Sequence, residues 1–247
     1  MSQVELHFHL LPAIDDGPAS LADSVALARA AVADGTRTVT TTPHVHANHV
    51  LDPREIPTRV QELVARLRVE RVPLEVLPGG ELAHDMVATL SGAELELIAH
   101  GPPGRRWVLL EAPFDGLDAS FTEAADELRS RGFAILLAHP ERAAPTESGD
   151  ARLAHELALG SAVQLTAASL LGESGERART VALRLLRTAP LAVIASDAHG
   201  AARPPALRRT VAALEAAGER SPQRHCGASA RGLLDGGLAR GRSVLAA

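Results

Sequence analysis

Short apolar and β-branched runs alternate along the chain with longer stretches whose apolar positions recur at helical spacing. Seven runs stand out: VELHF, TRTVTT, LEVLPG, WVLLE, FAILLA, AVQLT and LAVIAS. Each is short enough for a strand buried on both faces of a parallel sheet. Between the first two, Ser20 occupies the position of a helix N-cap, Asp23 follows three residues later and Gly35 closes the segment. These start and stop signals predict a helix, with Leu21, Val25, Ala28 and Val32 on one face. The same spacing joins Val60, Leu63, Val64 and Leu67, and later Leu207, Val211 and Leu214. Strand and helix in alternation predict an α/β fold built on a parallel sheet. No internal repeat, low-complexity linker or charge block divides the chain, so a single domain over residues 1–247 is expected.

Composition narrows the function. Hydrophobic residues make up 46% and charged residues 22%, too apolar for a disordered chain. Lys and Arg total 25 against 30 for Asp and Glu, which gives no electrostatic case for a nucleic-acid partner. No apolar stretch approaches the ~18 residues of a spanning helix, and the N-terminal residues lack a basic segment followed by an apolar one. A lone cysteine, Cys226, permits no internal disulfide and fits a reducing compartment, so a cytoplasmic protein is expected. Tyr is absent, with four Phe and one Trp, which argues against base-stacking platforms and aromatic cages. Eleven histidines stand against that scarcity.

Their placement is informative. His7 and His9 end the first run, His44 follows the second, Glu81 the third, Glu111 the fourth and His139 the fifth, while Asp197 and His199 follow the seventh. Thr166 ends the sixth. One such residue therefore recurs about every 30 residues, one strand-plus-helix unit, always at the carboxyl end of a strand. In a closed parallel barrel those ends converge on the face where catalytic groups are built. A single HxH is usually unremarkable, but here HxH and DxH pairs at two strand ends coincide with a His or Glu at most strands between them. Residues i and i+2 of a strand point to one side, so each pair can aim two donors at one centre. Imidazole and carboxylate without thiolate suit Mn, Fe or Zn. Nine candidates, His7, His9, Asp16, His44, Glu81, Glu111, His139, Asp197 and His199, are too many for one ion and fit two or three. Four are carboxylates, so three divalent ions would leave the cluster positive, a host for phosphate. Arg142 and Arg203 could add charge-assisted hydrogen bonds to it.

At these residues the chain resembles the polymerase and histidinol phosphatase (PHP) superfamily, and within it the bacterial manganese-dependent protein tyrosine phosphatases of capsule and exopolysaccharide synthesis. HFHLLPAIDDGP, TTPH, GGEL, LLEAPF, LLAHPER, AVQLTAASLLGESG and SDAH carry the resemblance, in order over residues 4 to 205. It implies a distorted seven-stranded (β/α)7 TIM-like barrel of PHP type, a trinuclear site on the nine residues above, and phosphate-binding roles for Arg142 and Arg203. Glu5 stands where such proteins commonly begin with Asp, a departure expected to matter little. His46 and His49 are read as pocket-rim or loop residues, and His84, His100, His155 and His225 as structural.

The expected activity is phosphomonoester hydrolysis, on phosphotyrosine in a protein such as a bacterial tyrosine kinase tail. A hydroxide bridging two of three divalent ions, manganese first and iron or zinc next, would attack phosphorus in line while metals and arginines neutralise the equatorial oxygens. Cys226 lacks a flanking phosphate-binding loop, so no cysteine phosphoenzyme is expected. Metal-bound water, His46 and Asp15 remain open as leaving-group acid. A small-molecule phosphatase or phosphodiesterase is the competing enzyme, and a metal-binding scaffold without turnover the competing class; nine filled positions argue against the scaffold.

Overall fold

All seven apolar runs form strands. In the computed structural model, which describes residues 2–49, 52–145 and 149–240, the chain begins with β1 (Gln3–Phe8), α1 (Leu21–Asp34), β2 (Thr36–Thr41), a short β3 (His44–Val45) and α2 (Ile56–Val69). It continues through β4 (Glu75–Pro78), a short β5 (Glu81–Leu82), α3 (Gly92–Ile98), β6 (Trp107–Glu111), α4 (Ala119–Ser130), β7 (Ala134–Ala138) and α5 (Gly149–Ala158). The last third holds β8 (Ala162–Thr166), α6 (Ala167–Leu171), α7 (Glu176–Thr188), β9 (Ala192–Ala195), α8 (Leu207–Ala216) and α9 (Ala228–Gly236). The remaining positions of the domain expected over 1–247 lie outside the described residues. Among the described residues no helix is long and apolar enough to cross a membrane.

Strand pairing is parallel throughout, in two sheets ordered β1-β2-β4 and β3-β5-β6-β7-β8-β9. The break between them has a local cause. Pro43, between β2 and β3, has no N–H for a ladder, and Gly79-Gly80 separates β4 from β5. A Cβ on Gly79 would lie 2.6 Å from His100 Nε2, and one on Gly80 2.9 Å from Ile98, so both positions must stay bare for the end of α3 to approach. Past the break the ladder resumes, with the Glu81 N–H donating to Pro43 O at 3.0 Å. At the other edge the chain after β9 returns to β1: the Asp197 N–H donates to His7 O at 3.1 Å and the His9 N–H to Ala198 O at 2.9 Å.

Alternation along the strands divides the core. On β6, Trp107 and Leu109 join Leu136, Ala138, Ala162, Val193 and Leu233 of α9 in one cluster, while Val108 and Leu110 pack in a second with Phe121 and Leu128 of α4. Glu111 is in phase with Trp107 and Leu109, so the pleat carries it to their face of the sheet at the carboxyl end. At the opposite end the Trp107 indole donates to Leu233 O at 2.9 Å and pins α9 there.

Helix α1 starts and stops as its caps dictate: Ser20 Oγ accepts from the Asp23 N–H and Gly35 adopts φ 111°. Of the four residues expected on its buried face, Val25 and Ala28 are buried and Val32 packs partly buried against the core, whereas Leu21 is exposed and Ser24, Leu27 and Ala31 are buried as well; α1 packs against β2 and α2. In α2, Val60, Leu63 and Leu67 are buried as expected, with Ile56 added.

Candidate active site

The nine candidate residues meet at the carboxyl ends of the strands. Four overlapping groups of His, Asp and Glu have ligand atoms within 4.8 Å of one another: His9, Asp16, His44 and His199; His7, His139 and Asp197; His7, His9 and Glu81; His44, Glu81 and Glu111. Together they contain all nine and nothing else. The register explains part of this, since His44 pairs with Glu81 across β3 and β5, and Glu111 pairs with Ala138, one residue before His139. His139 and Asp197 sit at φ 34° and 52°, a left-handed conformation costing about 1–3 kcal/mol each that recurs at functional sites. The turn re-aims each side chain as its strand ends.

His7, His9, Glu81, His139 and Asp197 are each at most 3% exposed. His44 and Glu111 are half-buried, and the Asp16 side chain is 53% exposed. Access is therefore from the side of Asp16, His44 and Glu111.

The proton inventory is the decisive chemistry. His7 Nδ1 lies 2.8 Å from Gln164 Oε1, which also accepts from the His139 N–H. That oxygen has no proton to give, so His7 Nδ1 donates. His9 Nδ1 donates to Asp15 Oδ2 at 2.8 Å. In the neutral rings both Nε2 atoms then present lone pairs, 3.2 Å apart. They face Glu81 Oε2 at 3.1 and 3.4 Å and Asp197 Oδ1 at 3.3 and 3.5 Å. Glu81 Oε2 and His199 Nε2 are buried with no hydrogen-bond partner. Lone pairs converging without donors are unfavourable unless a cation sits among them. The residues present fit divalent metal.

The titration of the groups agrees. Burial alone would raise the Glu81 carboxyl, but His7, His139 and His44 outweigh it and hold it well below the usual range. Asp197 is likewise held down, against its burial, by His7 and His9. Burial opposes charging of His7 and His9, yet the carboxylates around them raise both. These shifts mark a pocket of negative potential that favours protons, or cations in their place. Glu111 is raised by its burial and by Glu81.

Asp197 joins this cluster to the arginines. Its Oδ1 faces His7 and His9, while its Oδ2 accepts from Arg142 at 2.9 Å and Arg203 at 2.5 Å. Arg142 also lies over the Phe114 ring at 4.6 Å. Both arginines, with Thr166 and Ser196, line a cavity of about 300 Å³. A second cavity, of about 360 Å³, is lined by Glu111, Asp85 and Asp115 together with His46, His84, Ala83, Pro113 and Phe114.

Several supporting residues escaped sequence reasoning. Gln164 carried the signal of a polar residue inside an apolar strand. Asp15, open above as a leaving-group acid, is bound to His9; burial would raise it, but His9 and the N–H groups of Gly17 and His44 hold its carboxyl down to about 2. A committed carboxylate is no acid at neutral pH. Glu141, buried inside the HPER motif, accepts from Thr166 N and Oγ, both at 2.9 Å, tying the Arg142 turn to β8. Thr166 thus caps α6 and stands outside the candidate groups. Glu5, expected to matter little, is wholly buried and accepts from the Ser196 N–H at 2.8 Å and from the Ser196 hydroxyl. Ser196 Oγ in turn accepts from the Ala206 N–H, so Glu5 anchors both ends of the loop carrying Asp197, His199 and Arg203. Burial pushes the Glu5 carboxyl up to about 8 despite those hydrogen bonds.

The other histidines divide. His46 lines the Glu111 cavity and the His49 ring stacks on His44 at 5.4 Å. His84, expected to be structural, lines that cavity too. His100 is buried against Trp107, the buried His225 donates from Nδ1 to Ala192 O at 2.8 Å, and His155 is on the exposed side of α5. Cys226 is buried, which pushes its thiol up to about 12 and leaves no nucleophile there.

Comparison with known proteins bears on this geometry. The family described as capsular polysaccharide synthesis, CpsB/CapC, matches residues 3–226. Tyrosine-protein phosphatase YwqE of Bacillus subtilis (strain 168) is 35% identical over 198 residues, 79% of this chain and 77% of that protein. Tyrosine-protein phosphatase CpsB of Streptococcus agalactiae serotype V is 24% identical over 213 residues, covering 83% and 86%. Among solved structures, a chain from the work on YwqE of Bacillus subtilis and CpsB of Streptococcus pneumoniae, metal-dependent tyrosine phosphatases, matches with a TM-score of 0.80 at 30% identity, covering 94% of each chain. An organophosphorus hydrolase variant from Deinococcus radiodurans, at TM-score 0.55 and 17% identity over 93% of this chain and 92% of that one, shares the fold alone.

Proposed function

We propose that this chain, which belongs to the CpsB/CapC family of capsular polysaccharide synthesis, is a metal-dependent phosphomonoesterase that hydrolyses phosphotyrosine in a protein. The observation that carries this reading is the convergence of nine metal-ligand side chains in four overlapping groups, with Asp197 shared between them and two arginines. The proposed partner is a phosphotyrosine-bearing protein such as the tail of a bacterial tyrosine kinase. Seven strand positions, two of them interrupted, and the return of the Asp197 segment to β1 support a distorted seven-stranded (β/α)7 barrel. Residues 1–247 are read as one catalytic domain.

His7, His9, Asp16, His44, Glu81, Glu111, His139, Asp197 and His199 would hold three divalent ions, manganese first, with iron or zinc as alternatives. Such ions supply Lewis acidity at the phosphoryl oxygens and lower the pKa of water. The protein's part is orientation and charge. Gln164 and Asp15 fix the rings of His7 and His9 with their Nε2 lone pairs inward. Arg142 and Arg203 present planar donor forks beside Asp197, matched to the oxygens of a phosphate dianion. Each would neutralise charge that shifts onto those oxygens during transfer. The buried floor of His7, His9 and Glu81 keeps bulk water from the inner side.

The test is a turnover screen of metal-reconstituted protein against phosphotyrosine peptides, histidinol phosphate, sugar phosphates and a phosphodiester, with metal analysis alongside. Preference for phosphotyrosine with two to three ions per chain is expected. Higher kcat/KM on a small-molecule ester or on the diester would overturn the substrate assignment, and one ion or fewer after reconstitution would reject the trinuclear centre.

A further inference from the structure

An apolar groove borders the cluster on the side of α1, and the phosphoryl chemistry makes no use of it. It encloses about 370 Å³ between the segment 17–19, one face of α1 and the segment 199–205. Pro18, Ala26, Leu27, Ala30, Pro204 and Pro205 form most of its wall. Its ionisable residues are His199 and Asp23, and Asp23 is committed to Ser20, whose Oγ donates to its Oδ2 at 2.6 Å. Ala26 and Ala30 stand one turn apart on the helix and are open to solvent, apolar surface that stays in water until something covers it. The groove is preformed. Its three prolines have fixed φ angles, and Pro18 O accepts from the Ala13 N–H at 2.8 Å.

Its position ties it to the site. The His199 ring is part of its wall, so the groove begins one imidazole away from the group formed by His9, Asp16, His44 and His199. Pro204 borders both the groove and the arginine-lined cavity. The other two cavities at the cluster are polar, one carrying arginines and the other three carboxylates and two imidazoles. We propose that this groove receives an aliphatic side chain of the substrate polypeptide, close in sequence to the phosphotyrosine, so that the protein favours phosphotyrosine in an apolar sequence context. The proposal rests on the protein-phosphatase reading and adds a sequence preference to it. A phosphate held by Arg142 and Arg203 fixes one point of the peptide, and a chain leaving over Pro204 brings its neighbouring side chains to the groove. Burial of an aliphatic side chain is favourable in proportion to its area, and a preformed wall loses little entropy on receiving it. A second copy of the chain seated there would crowd Asp16 and Gly17, on the side from which the cluster is reached.

The test uses metal-reconstituted protein, phenyl phosphate, and phosphotyrosine peptides in which each flanking residue in turn is leucine or asparagine, side chains of similar size. Leucine at a flanking position that reaches the groove should raise kcat/KM about tenfold over asparagine, the scale of partly burying one aliphatic side chain. Ala30→Glu and Ala30→Arg keep a strong helix former on α1 and put a long charged side chain into the groove. Both should abolish the leucine preference while phenyl phosphate turnover and circular dichroism stay at wild-type values. The opposite charges separate filling of the groove from a long-range effect on the peptide, which would change sign between them. A wild type that hydrolyses the peptides without a leucine preference at any position overturns the proposal, as does a preference that survives both variants. A wild type that is dimeric by light scattering, turns monomeric in Ala30→Arg and shows no leucine preference assigns the surface to a second copy and overturns it too. Hydrolysis of phenyl phosphate but of no phosphopeptide removes the groove and the protein substrate together, and hydrolysis of neither removes the phosphatase reading as well.

Discussion

Replacing Gln164 by Leu tests the claim that hydrogen bonds outside the cluster set which histidine nitrogens face inward. The side chain is fully buried, and its Oε1 accepts from His7 Nδ1 at 2.8 Å and from the His139 N–H at 3.3 Å. Leucine matches the volume and accepts nothing. His7 is then free to move its proton to Nε2, where Glu81 Oε2 and Asp197 Oδ1 accept it at 3.1 and 3.3 Å. The metal-free protein loses little: a buried N–H left unpaired costs about 1–3 kcal/mol, but the shifted proton finds partners, and the orphaned Gln164 Nε2 disappears. Metal binding loses more, because the inward lone pair must be regenerated first. Loss of such an outer hydrogen bond lowers metal affinity about 10- to 100-fold, or roughly 1.4–2.7 kcal/mol. The assay is competition with a chelator of known affinity, paired with thermal melts of metal-free and metal-loaded protein. Melting of the metal-free variant should fall within a few degrees of wild type, and the gain on adding metal should shrink. Gln164→Glu, which again accepts from His7, should recover part of the affinity. A Gln164→Leu protein with wild-type metal affinity and a sharply lower metal-free melting temperature would refute the reasoning, since the residue would then serve packing alone.

The remaining predictions concern the inner residues. His139→Ala and Asp197→Ala should each lower kcat by orders of magnitude while circular dichroism stays native, because the packed core lies away from the cluster; near-normal turnover of reconstituted Asp197→Ala would remove that residue from the site. Arg142→Ala and Arg203→Ala should each lower kcat/KM by an amount equivalent to about 1.5–3 kcal/mol, the range for a hydrogen bond to a charged group, with Arg142→Lys recovering part; metal content measured on each variant separates phosphate binding from support of Asp197. Glu5 should make the metal-free protein less stable as pH rises from about 4.5 to about 8, because over that window the folded state retains a proton that the unfolded state releases. Glu5→Gln should therefore raise the melting temperature relative to wild type more at pH 8 than at pH 5, and an equal shift at both would place the effect in packing.

The ligand residues were legible because strand-end chemistry leaves a periodic trace. His44, Glu81, Glu111 and His139 each follow an apolar run, and period-2 spacing of His7 with His9 and of Asp197 with His199 aims pairs to one side. Gln164, Asp15, Glu141 and Glu5 leave no such trace. A lone glutamine in AVQLT or a glutamate in VELHF reads as a tolerated polar residue until the chain closes around it. Phe114 shows the same limit from the other side, since a phenylalanine in LLEAPF is expected in the core and its exposure follows from where the 111–116 segment crosses the mouth of the site.

Local rules along the chain determined which segments are strands, where α1 begins and ends, and which residue types stand at strand ends, because hydrophobic period and capping act over a few residues at a time. Tertiary structure decided the rest. It left Leu21 of α1 exposed, interrupted the sheet at Pro43 and at Gly79-Gly80, and turned His139 and Asp197 into the left-handed region. It also brought Gln164 to His7 across 157 residues and Glu5 to Ser196 across 191. Whether a buried polar atom is paired, and with what, depends on groups contributed by strands far apart in sequence. That pairing fixes the tautomers of His7 and His9, and with them the direction in which nine ligand-type residues can act together.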